Sequence, residues 1–293
     1  MGTKRNIFLA VTALLVAVIV GVSAVTLAQG PRTSSVEMIS RTGSQAEVND
    51  YYDGNTTIPY YDIALNSYSL DDFVEENSVV EYTGADSYVG VSVNEKKGDI
   101  DWEQVKNSGV DFAMIRVGLR EKMKGRIKAD ANFVQNITGA TKAGLQVGVY
   151  FYSKAATDAE ADEEAKYVLE QIREYSVKYP VAFYWEYDLK EDGSQDERSR
   201  VVGCNGEQVT GFINTFCGKM KTAGYDTCYY ATKTMAYNRL NLSRLTNYDL
   251  WYAEYRPKPS FFYDFKMWQY TETGTVPGIS QEVPINIALK KYA

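Results

Sequence analysis

The side chains that could do chemistry in this chain are carboxylates, tyrosines and lysines, because none of its 293 residues is a histidine. Ser/His/Asp and Cys/His nucleophiles are therefore excluded, and so are histidine-ligated zinc sites. The formal charge of −7, from 31 basic and 38 acidic residues, argues against a basic nucleic-acid surface. We expect no metal, no cofactor and no nucleic-acid partner.

Polar and aromatic side chains recur at the ends of several short apolar runs. Aromatic rings suit the apolar faces of sugars, so such a set favours a carbohydrate site. Each tyrosine could equally belong to a core, since alternate strand residues point to opposite faces. The set comprises Ser92, Asn94, Arg116, Tyr150, Tyr152, Tyr184, Glu186, Tyr229, Tyr230, Trp251, Glu254, Trp268 and Tyr270.

The elements that position these residues follow a repeating form, in which a lysine and then a glycine end a helix-like stretch before an apolar run. Lysine suits a helix C-terminus, and glycine takes the left-handed conformation that stops the helix. The form occurs at Lys106 to Gly109, Lys142 to Gly144 and Lys221 to Gly224. Apolar strands alternating with helices predict a parallel sheet covered by helices, and at least five units favour a barrel whose site lies at the C-terminal strand ends.

At these residues the chain resembles glycoside hydrolase family 25, the muramidases also called Chalaropsis-type lysozymes. The resemblance runs from about Tyr88 to the C-terminus. It implies a TIM-like irregular barrel, (β/α)5(β)3, and peptidoglycan as the substrate. The matching pieces are Gly90 to Asn94, Gly98 to Lys106, Phe112 to Arg116, Gly148 to Ser153, Pro180 to Glu186, Leu250 to Tyr255 and Trp268 to Thr271 with Gly274, Val276, Gly278 and Ile279.

The family's catalytic acids are mostly replaced in this chain. The resemblance places an Asp at the positions of Ser92, Tyr184 and Pro284, and only Glu186, which matches the proton donor, is kept. A glycosidase usually needs two carboxylates, so we expect little or no catalysis. Tyr184 could attack only as a phenolate. With fewer like charges around it, the pKa of Glu186 should fall relative to the family.

Three other carboxylates could replace the missing acids, or could be ordinary surface residues: Asp188, Glu254 and Asp86. Asp188 lies two residues beyond Glu186 and could share its strand face. The expected substrate-binding residues are Arg116, Tyr150, Tyr152, Tyr230, Trp251, Glu254 and Trp268.

The N-terminal third predicts an anchor and an acidic linker. Ile7 to Ala28 are 22 positions without a charge, directly after Lys4 and Arg5. This length favours an uncleaved signal anchor with the rest of the chain outside the cytoplasm, and a cleaved, secreted form is the alternative. We therefore divide the chain into a membrane segment (1–28), an acidic tyrosine-rich tether that is partly docked (29–87) and the barrel (88–293). Within the tether we expect 29–50 to be flexible and the apolar residues of 58–80 to dock onto the barrel.

The three cysteines fit no zinc spacing. Cys217 and Cys228 could be buried without a bridge, which we favour, or could form a disulfide.

Three functions remain open at this point. The first is a membrane-anchored, degenerate family 25 protein that binds glycan or a partner protein without cleavage. The second is an active muramidase that uses Glu186 and a displaced second carboxylate. The third is an interaction module whose working surface is the acidic, tyrosine-rich strip.

Overall fold

The computed structural model describes residues 34–76 and 79–292. The strands before the predicted barrel are β1 Val36–Thr42, β2 Gln45–Asp50, β3 Gly54–Pro59, β4 Phe73–Glu76 and β5 Val79–Tyr82. The later strands are β6 Tyr88–Val93, β7 Phe112–Arg120, β8 Ile127–Ala129, β9 Gln146–Ser153, β10 Val181–Trp185, β11 Thr227–Thr232, β12 Asp249–Ala253, β13 Met267–Gly274 and β14 Val283–Ala288. The helices are α1 Trp102–Asn107, α2 Phe133–Lys142, α3 Asp158–Ile172, α4 Gly206–Thr222 and α5 Lys233–Asn238.

Eight of these strands form a closed barrel in the order β6-β14-β13-β12-β11-β10-β9-β7, and β6 also pairs with β7 to complete the ring. Neighbours from β6 round to β13 are parallel. Only β14 is antiparallel to both of its neighbours, and the short β8 pairs with β7 outside the ring. The predicted barrel of five β/α units followed by three strands is therefore confirmed.

The local signals that predicted the helix ends are present in the backbone. Gly109, Gly144 and Gly224 follow α1, α2 and α4 with φ of 97°, 81° and 90°, the left-handed conformation that ends a helix. Asp101 and Thr157 each accept a hydrogen bond from the backbone N–H three residues on, at the starts of α1 and α3. These caps fix where each helix begins relative to the preceding strand.

Alternate residues of each barrel strand enter two separate cores. One set fills the barrel interior, and the other packs beneath the helices and the N-terminal strands. Interior residues include Phe112, Met114, Tyr150, Ala182, Cys228, Tyr230, Trp251, Met267 and Ala288. A strand residue's parity therefore decides whether its side chain can reach the barrel mouth.

Residues 36–50 differ from the prediction of a flexible tether. They form β1 and β2, which pair antiparallel with each other, and β2 also pairs with β3. Ala46, Val48 and Asp50 are buried while Gln45 and Glu47 are exposed, so β2 places every second residue against the barrel. This two-residue alternation is typical of a strand with one buried face, and it outweighs the polar composition.

The expectation that residues 58–80 dock onto the barrel agrees with the structure. The Phe73 ring packs edge-on against Trp268, with 5.4 Å between ring centroids. The Tyr68 hydroxyl donates to the backbone oxygen of Phe265 at 2.8 Å. A salt bridge adds to this contact, because Lys233 Nζ lies 2.6 Å from a carboxylate oxygen of Asp50 in β2. The N-terminal strands are thus part of the barrel's packing.

The three cysteines are unbridged, as favoured from the sequence. Cys228 faces the barrel interior, whereas Cys217 lies in α4 on the outer side of the sheet. The Cys217 thiol instead donates to the backbone oxygen of Cys228 at 3.5 Å. A disulfide between them would have to pass through the barrel wall.

The predicted membrane segment, residues 7–28, lies outside the described residues. Among residues 34–76 and 79–292, none of the helices combines the length and the apolar character needed to span a bilayer.

Candidate functional site

A cavity of about 420 Å³ opens at the C-terminal ends of the barrel strands, where the sequence placed the site. Its volume falls in the range of ligand-binding pockets, about 300–1,000 Å³. Its lining residues are Ser92, Asn94, Glu95, Lys96, Lys97, Arg116, Leu119, Tyr150, Tyr152, Tyr184, Glu186, Tyr255, Gln269, Glu272 and Pro284. The four positions at which the family resemblance places acids, namely Ser92, Tyr184, Glu186 and Pro284, therefore meet in one cavity.

Glu186 also lines a second cavity, of about 600 Å³, on the side of Tyr230 and Arg239. Burial raises the pKa of the Glu186 carboxyl above its ordinary value, Lys154 opposes that rise, and Asp188 adds to it. The buried Lys154 donates from Nζ to the backbone oxygen of Glu186 at 2.6 Å. Compared with a free glutamate, the pKa of Glu186 is therefore raised, because burial has a larger effect than the loss of like charges. That this pKa is lower than in other family members stays a prediction.

Tyr184 is part of an aromatic stack. Its ring lies on that of Tyr230 with 3.8 Å between centroids and 12° between planes. Trp251 approaches Tyr184 edge-on, at 6.0 Å. Burial raises the pKa of Tyr184 well above its ordinary value, and the charge of Glu186 raises it further. A tyrosine in this setting stays protonated, so the structure disfavours a phenolate nucleophile.

Ser92 belongs to a neutral hydrogen-bond network on the cavity floor. Asn286 Nδ2 donates to the Ser92 hydroxyl at 2.9 Å, and Asn286 Oδ1 accepts from Trp251 Nε1 at 3.0 Å. Gln269 Nε2 also donates to Asn286 Oδ1, at 3.3 Å. The Tyr255 hydroxyl donates to Gln269 Oε1 at 3.1 Å. Amides and hydroxyls therefore occupy the floor at the position where the resemblance places a carboxylate.

Arg116 crosses one wall of the cavity as part of an ionic cluster. Its Nε donates to Asp130 at 2.7 Å, and its Nη2 lies 3.4 Å from Glu95. Glu95 also accepts from the backbone N–H of Ala131, and this bond together with the arginine lowers the pKa of Glu95. The guanidinium charge is therefore balanced by carboxylates of its own wall.

The seven predicted substrate-binding residues separate into four groups. Arg116, Tyr150 and Tyr152 line the first cavity, and Tyr230 lines the second. Trp251 lies beneath them with an exposed fraction of 0%, so it supports the tyrosines and offers no ring face to a ligand.

Glu254 and Trp268 point away from the barrel mouth. The Glu254 carboxylate accepts from the Ser260 backbone N–H, and Trp268 Nε1 donates to the Glu254 backbone oxygen at 3.0 Å. Both lie on the outer side of the sheet, since their neighbours Ala253 and Met267 face inward. Strand parity thus removes these two residues from the cavity.

The proposed substitute carboxylates are also placed elsewhere. Asp188 lies 3.2 Å from Lys154 Nζ and accepts from the Ser199 hydroxyl. Asp86 is exposed and precedes β6, so it lies at the opposite end of the barrel from the cavity.

Several cavity residues were missed by the sequence reading. Gln269 and Tyr255 line the cavity and lie inside motifs that resemble the family. Their neighbours in those motifs were chosen as candidate residues in their place. The alternation from the interior residue Met267 to Gln269 would have found the glutamine. Glu95, Lys96 and Lys97 follow the end of β6, and Glu272 lies in the irregularly paired end of β13, so these residues carried no comparable signal. No group of potential metal ligands occurs among residues 34–76 and 79–292.

Comparisons with known proteins agree with this geometry. Residues 91–279, more than half of the chain, match the family model described as glycosyl hydrolases family 25. The chain is 27% identical over 192 residues to an autolytic lysozyme of Clostridium acetobutylicum, which covers 65% of this chain and 52% of that protein. It is 26% identical over 207 residues to lysozyme M1 of Streptomyces globisporus, which covers 67% of this chain and 66% of that protein. The chain thus spans only part of the length of both relatives.

Solved structures share the fold at lower identity. The modular autolysin LytC from Streptococcus pneumoniae superposes with a TM-score of 0.58 at 20% identity, covering 84% of this chain and 57% of LytC. A family 25 glycosyl hydrolase from Bacillus anthracis gives a TM-score of 0.54 at 22% identity, covering 69% and 89%. With the family model matched over most of the barrel, the chain belongs to glycoside hydrolase family 25.

Proposed function

We propose that this protein binds peptidoglycan glycan in its barrel mouth and does not cleave it. The choice of ligand is supported by its relatives, since both curated matches are lysozymes and LytC has been captured with a synthetic peptidoglycan ligand. The absence of cleavage is inferred from one observation. Glu186 faces a floor of neutral hydrogen-bonding groups and a protonated tyrosine stack.

The chemistry of glycoside hydrolysis explains why the neutral surroundings of Glu186 support a lack of cleavage. One carboxyl group must protonate the leaving oxygen while a second group offsets or attacks the developing positive centre. Glu186 could supply the proton. Ser92 and Pro284 supply no charge, and the raised pKa of Tyr184 keeps it neutral. Loss of one oriented charge commonly costs on the order of a hundredfold or more in rate.

A second candidate function is an active muramidase. The raised pKa of Glu186 favours it, because a general acid must hold its proton near neutral pH. Glu95 and Glu272 also line the cavity and are its other carboxylates. Glu95 is bound by Arg116 and by a backbone N–H, and Glu272 is exposed, so neither has the buried, oriented setting of a catalytic partner.

One experiment separates the two candidates. Purified peptidoglycan is incubated with the protein, and both pelleted protein and released reducing ends are measured. We expect pelleting without new reducing ends. Release that is abolished by Glu186→Gln would establish the active muramidase. Protein that neither pellets nor cleaves would contradict both candidates and favour an interaction role for the acidic, tyrosine-rich strip.

We further propose that the chain is anchored in the membrane by residues 7–28, with the barrel outside the cytoplasm. The support is the uncharged run of 22 residues preceded by Lys4 and Arg5. Fractionation followed by N-terminal sequencing tests this. A mature protein that begins near Gln29 and is found in the medium would replace the anchor with a cleaved signal.

A further inference from the structure

A third cavity, of about 650 Å³, adjoins the barrel mouth and is here called the hairpin cavity. It shares Tyr255 with the mouth cavity. One of its walls comes from the β4–β5 hairpin, through Glu75 and Val80. That hairpin lies outside residues 91–279, the part that matches the family model. The hairpin wall of this cavity therefore lies outside the part of the chain that the family model matches.

The cavity occupies a gap where two barrel strands separate. The pairing of β12 with β13 ends at Ala253 and Gln269, whereas β13 continues to Gly274. The chain after β12 instead turns away as residues 255–257, which line the opposite side of the gap. The edge of β13 that faces the gap has no strand paired to it within the described residues. Such an edge presents backbone N–H and C=O groups to any extended chain that enters.

The side chains around the gap are of three kinds. Tyr270 and Ile285 form a buried apolar floor. Thr271 and Thr273 place hydroxyl-bearing side chains along the strand edge. The cavity carries both signs of charge, from the exposed guanidinium of Arg256 and the exposed carboxylate of Glu75.

This combination selects a peptide over a sugar chain. The acetamido groups of a glycan are substituents on its rings and do not follow one another at strand spacing, whereas the backbone amides of an extended peptide can pair along a strand edge. A guanidinium and a carboxylate complement a ligand that carries a carboxylate and an ammonium group. Small apolar side chains of such a peptide would meet the floor formed by Tyr270 and Ile285.

We propose that the hairpin cavity binds the peptide branch of the same peptidoglycan whose glycan occupies the barrel mouth. This inference rests on the proposed function, since the shared residue Tyr255 joins the two cavities. The hairpin thereby makes the protein selective for glycan that still bears its peptides over glycan from which they have been removed.

Calorimetric titration of the full-length protein tests the inference with two soluble ligands. One is a peptidoglycan disaccharide that carries its peptide, and the other is the same disaccharide without the peptide. We expect the first to bind about tenfold or more tightly, the usual scale for one charge-assisted contact. Arg256→Gln and Glu75→Gln should each remove most of this difference and leave the affinity for the bare disaccharide unchanged. Arg173→Gln is the matched control, because Arg173 is exposed and lies at the end of α3, outside all three cavities.

The outcomes separate a failure of peptide binding in the hairpin cavity from a failure of glycan binding in the barrel mouth. Equal affinities of the native protein for the two ligands would overturn the hairpin site and leave glycan binding intact. A peptide-dependent gain that survives both cavity substitutions would place the peptide elsewhere and also overturn it. Binding of neither ligand would overturn glycan binding, and the hairpin site with it. Melting temperatures of each variant show that a loss of affinity is not a loss of fold.

Discussion

Glu186 is a buried acid whose ionisation opposes folding. Burial raises its pKa in the folded chain above the ordinary value of 4.5. The folded state then binds more protons than the unfolded state between those two pKa values, so this group's contribution to stability is present below pH 4.5 and is lost as the pH rises through the folded pKa. We expect Glu186→Gln to stabilise the protein at pH 7 relative to the native chain, and to do so much less at pH 4.

Denaturant titrations of both proteins at the two pH values measure this effect. Glu272→Gln is the control, because Glu272 lines the same cavity but is exposed. A gain that is equal at both pH values would contradict the buried-acid explanation.

Substitutions of Trp251 and Tyr152 should have different effects, one on stability and the other on ligand binding. Trp251 is fully buried and holds Asn286, so Trp251→Ala should cost about 3–5 kcal/mol in the free energy of unfolding. Tyr152 is only partly buried and lines the cavity. Tyr152→Ala should instead weaken glycan binding by about 1–3 kcal/mol while the melting temperature changes little. Retained glycan affinity in a folded Tyr152→Ala protein would exclude that ring as an anchor.

Introducing acids at the substituted positions tests the proposed lack of catalysis directly. We expect Ser92→Asp, Tyr184→Asp and Pro284→Asp, combined, to give measurable reducing-end release where the native chain gives none. Ser92→Asp alone should do little, since groups that act together are not repaired additively. The control adds Glu186→Gln to the triple variant. If that quadruple variant is equally active, Glu186 is not the acid.

At the scale of elements, one lysine of α5 binds two carboxylates of the N-terminal region that differ in burial. Lys233 Nζ lies 2.6 Å from Asp50 and 2.7 Å from Asp53, whose side chains are 1% and 50% exposed. Asp50→Ala should cost about 1–3 kcal/mol, because the buried carboxylate accepts hydrogen bonds from Lys233, Ser260 and the backbone N–H of Tyr52. Asp53→Ala should cost less than about 1 kcal/mol, as exposed ion pairs do. Denaturant titration of the two variants measures both costs, and equal costs would contradict the buried bridge.

The sequence predicted those elements whose ends are marked by local residue signals. Each Lys–Gly helix end marked the strand after it, and the family motifs supplied the barrel topology. β1 and β2 were missed because their composition is polar, although Ala46 and Val48 already alternate with exposed residues. Their stability comes from contacts with residues about 200 positions away, such as Ser260 with Asp50, and no local pattern carries that information.

The candidate site could be predicted only where the sequence showed which strand residues point into the barrel. Ser92, Tyr184 and Glu186 were found because they match motif positions. Glu254 and Trp268 were placed in the site by residue type and by their position near strand ends, and a one-residue difference in parity turns them outward. The hairpin cavity could not be predicted at all, because it depends on where β12 and β13 separate.

At the scale of the whole molecule, residues 34–87 are part of the folding unit. They cover Tyr263, Phe265 and Trp268, three large aromatic side chains that are at most 1% exposed. A shortened chain of residues 88–293 would expose apolar surface worth about 1.5–3 kcal/mol for each of these side chains. We expect it to melt at a much lower temperature than residues 34–293, or to aggregate. Equal melting temperatures in circular dichroism would show that the barrel is self-sufficient.

The hydrogen-bond network on the cavity floor has a direction. An indole N–H can only donate, so Trp251 fixes the amide oxygen of Asn286 toward itself and turns the amide nitrogen toward Ser92. The Ser92 oxygen is therefore an acceptor within the protein, and its own hydrogen remains for a ligand in the cavity. An aspartate at this position would offer only acceptors. The mouth of this barrel thus presents a hydrogen-bond donor at a position where the family resemblance places an aspartate, and it should select ligands by their carbonyl and hydroxyl oxygens.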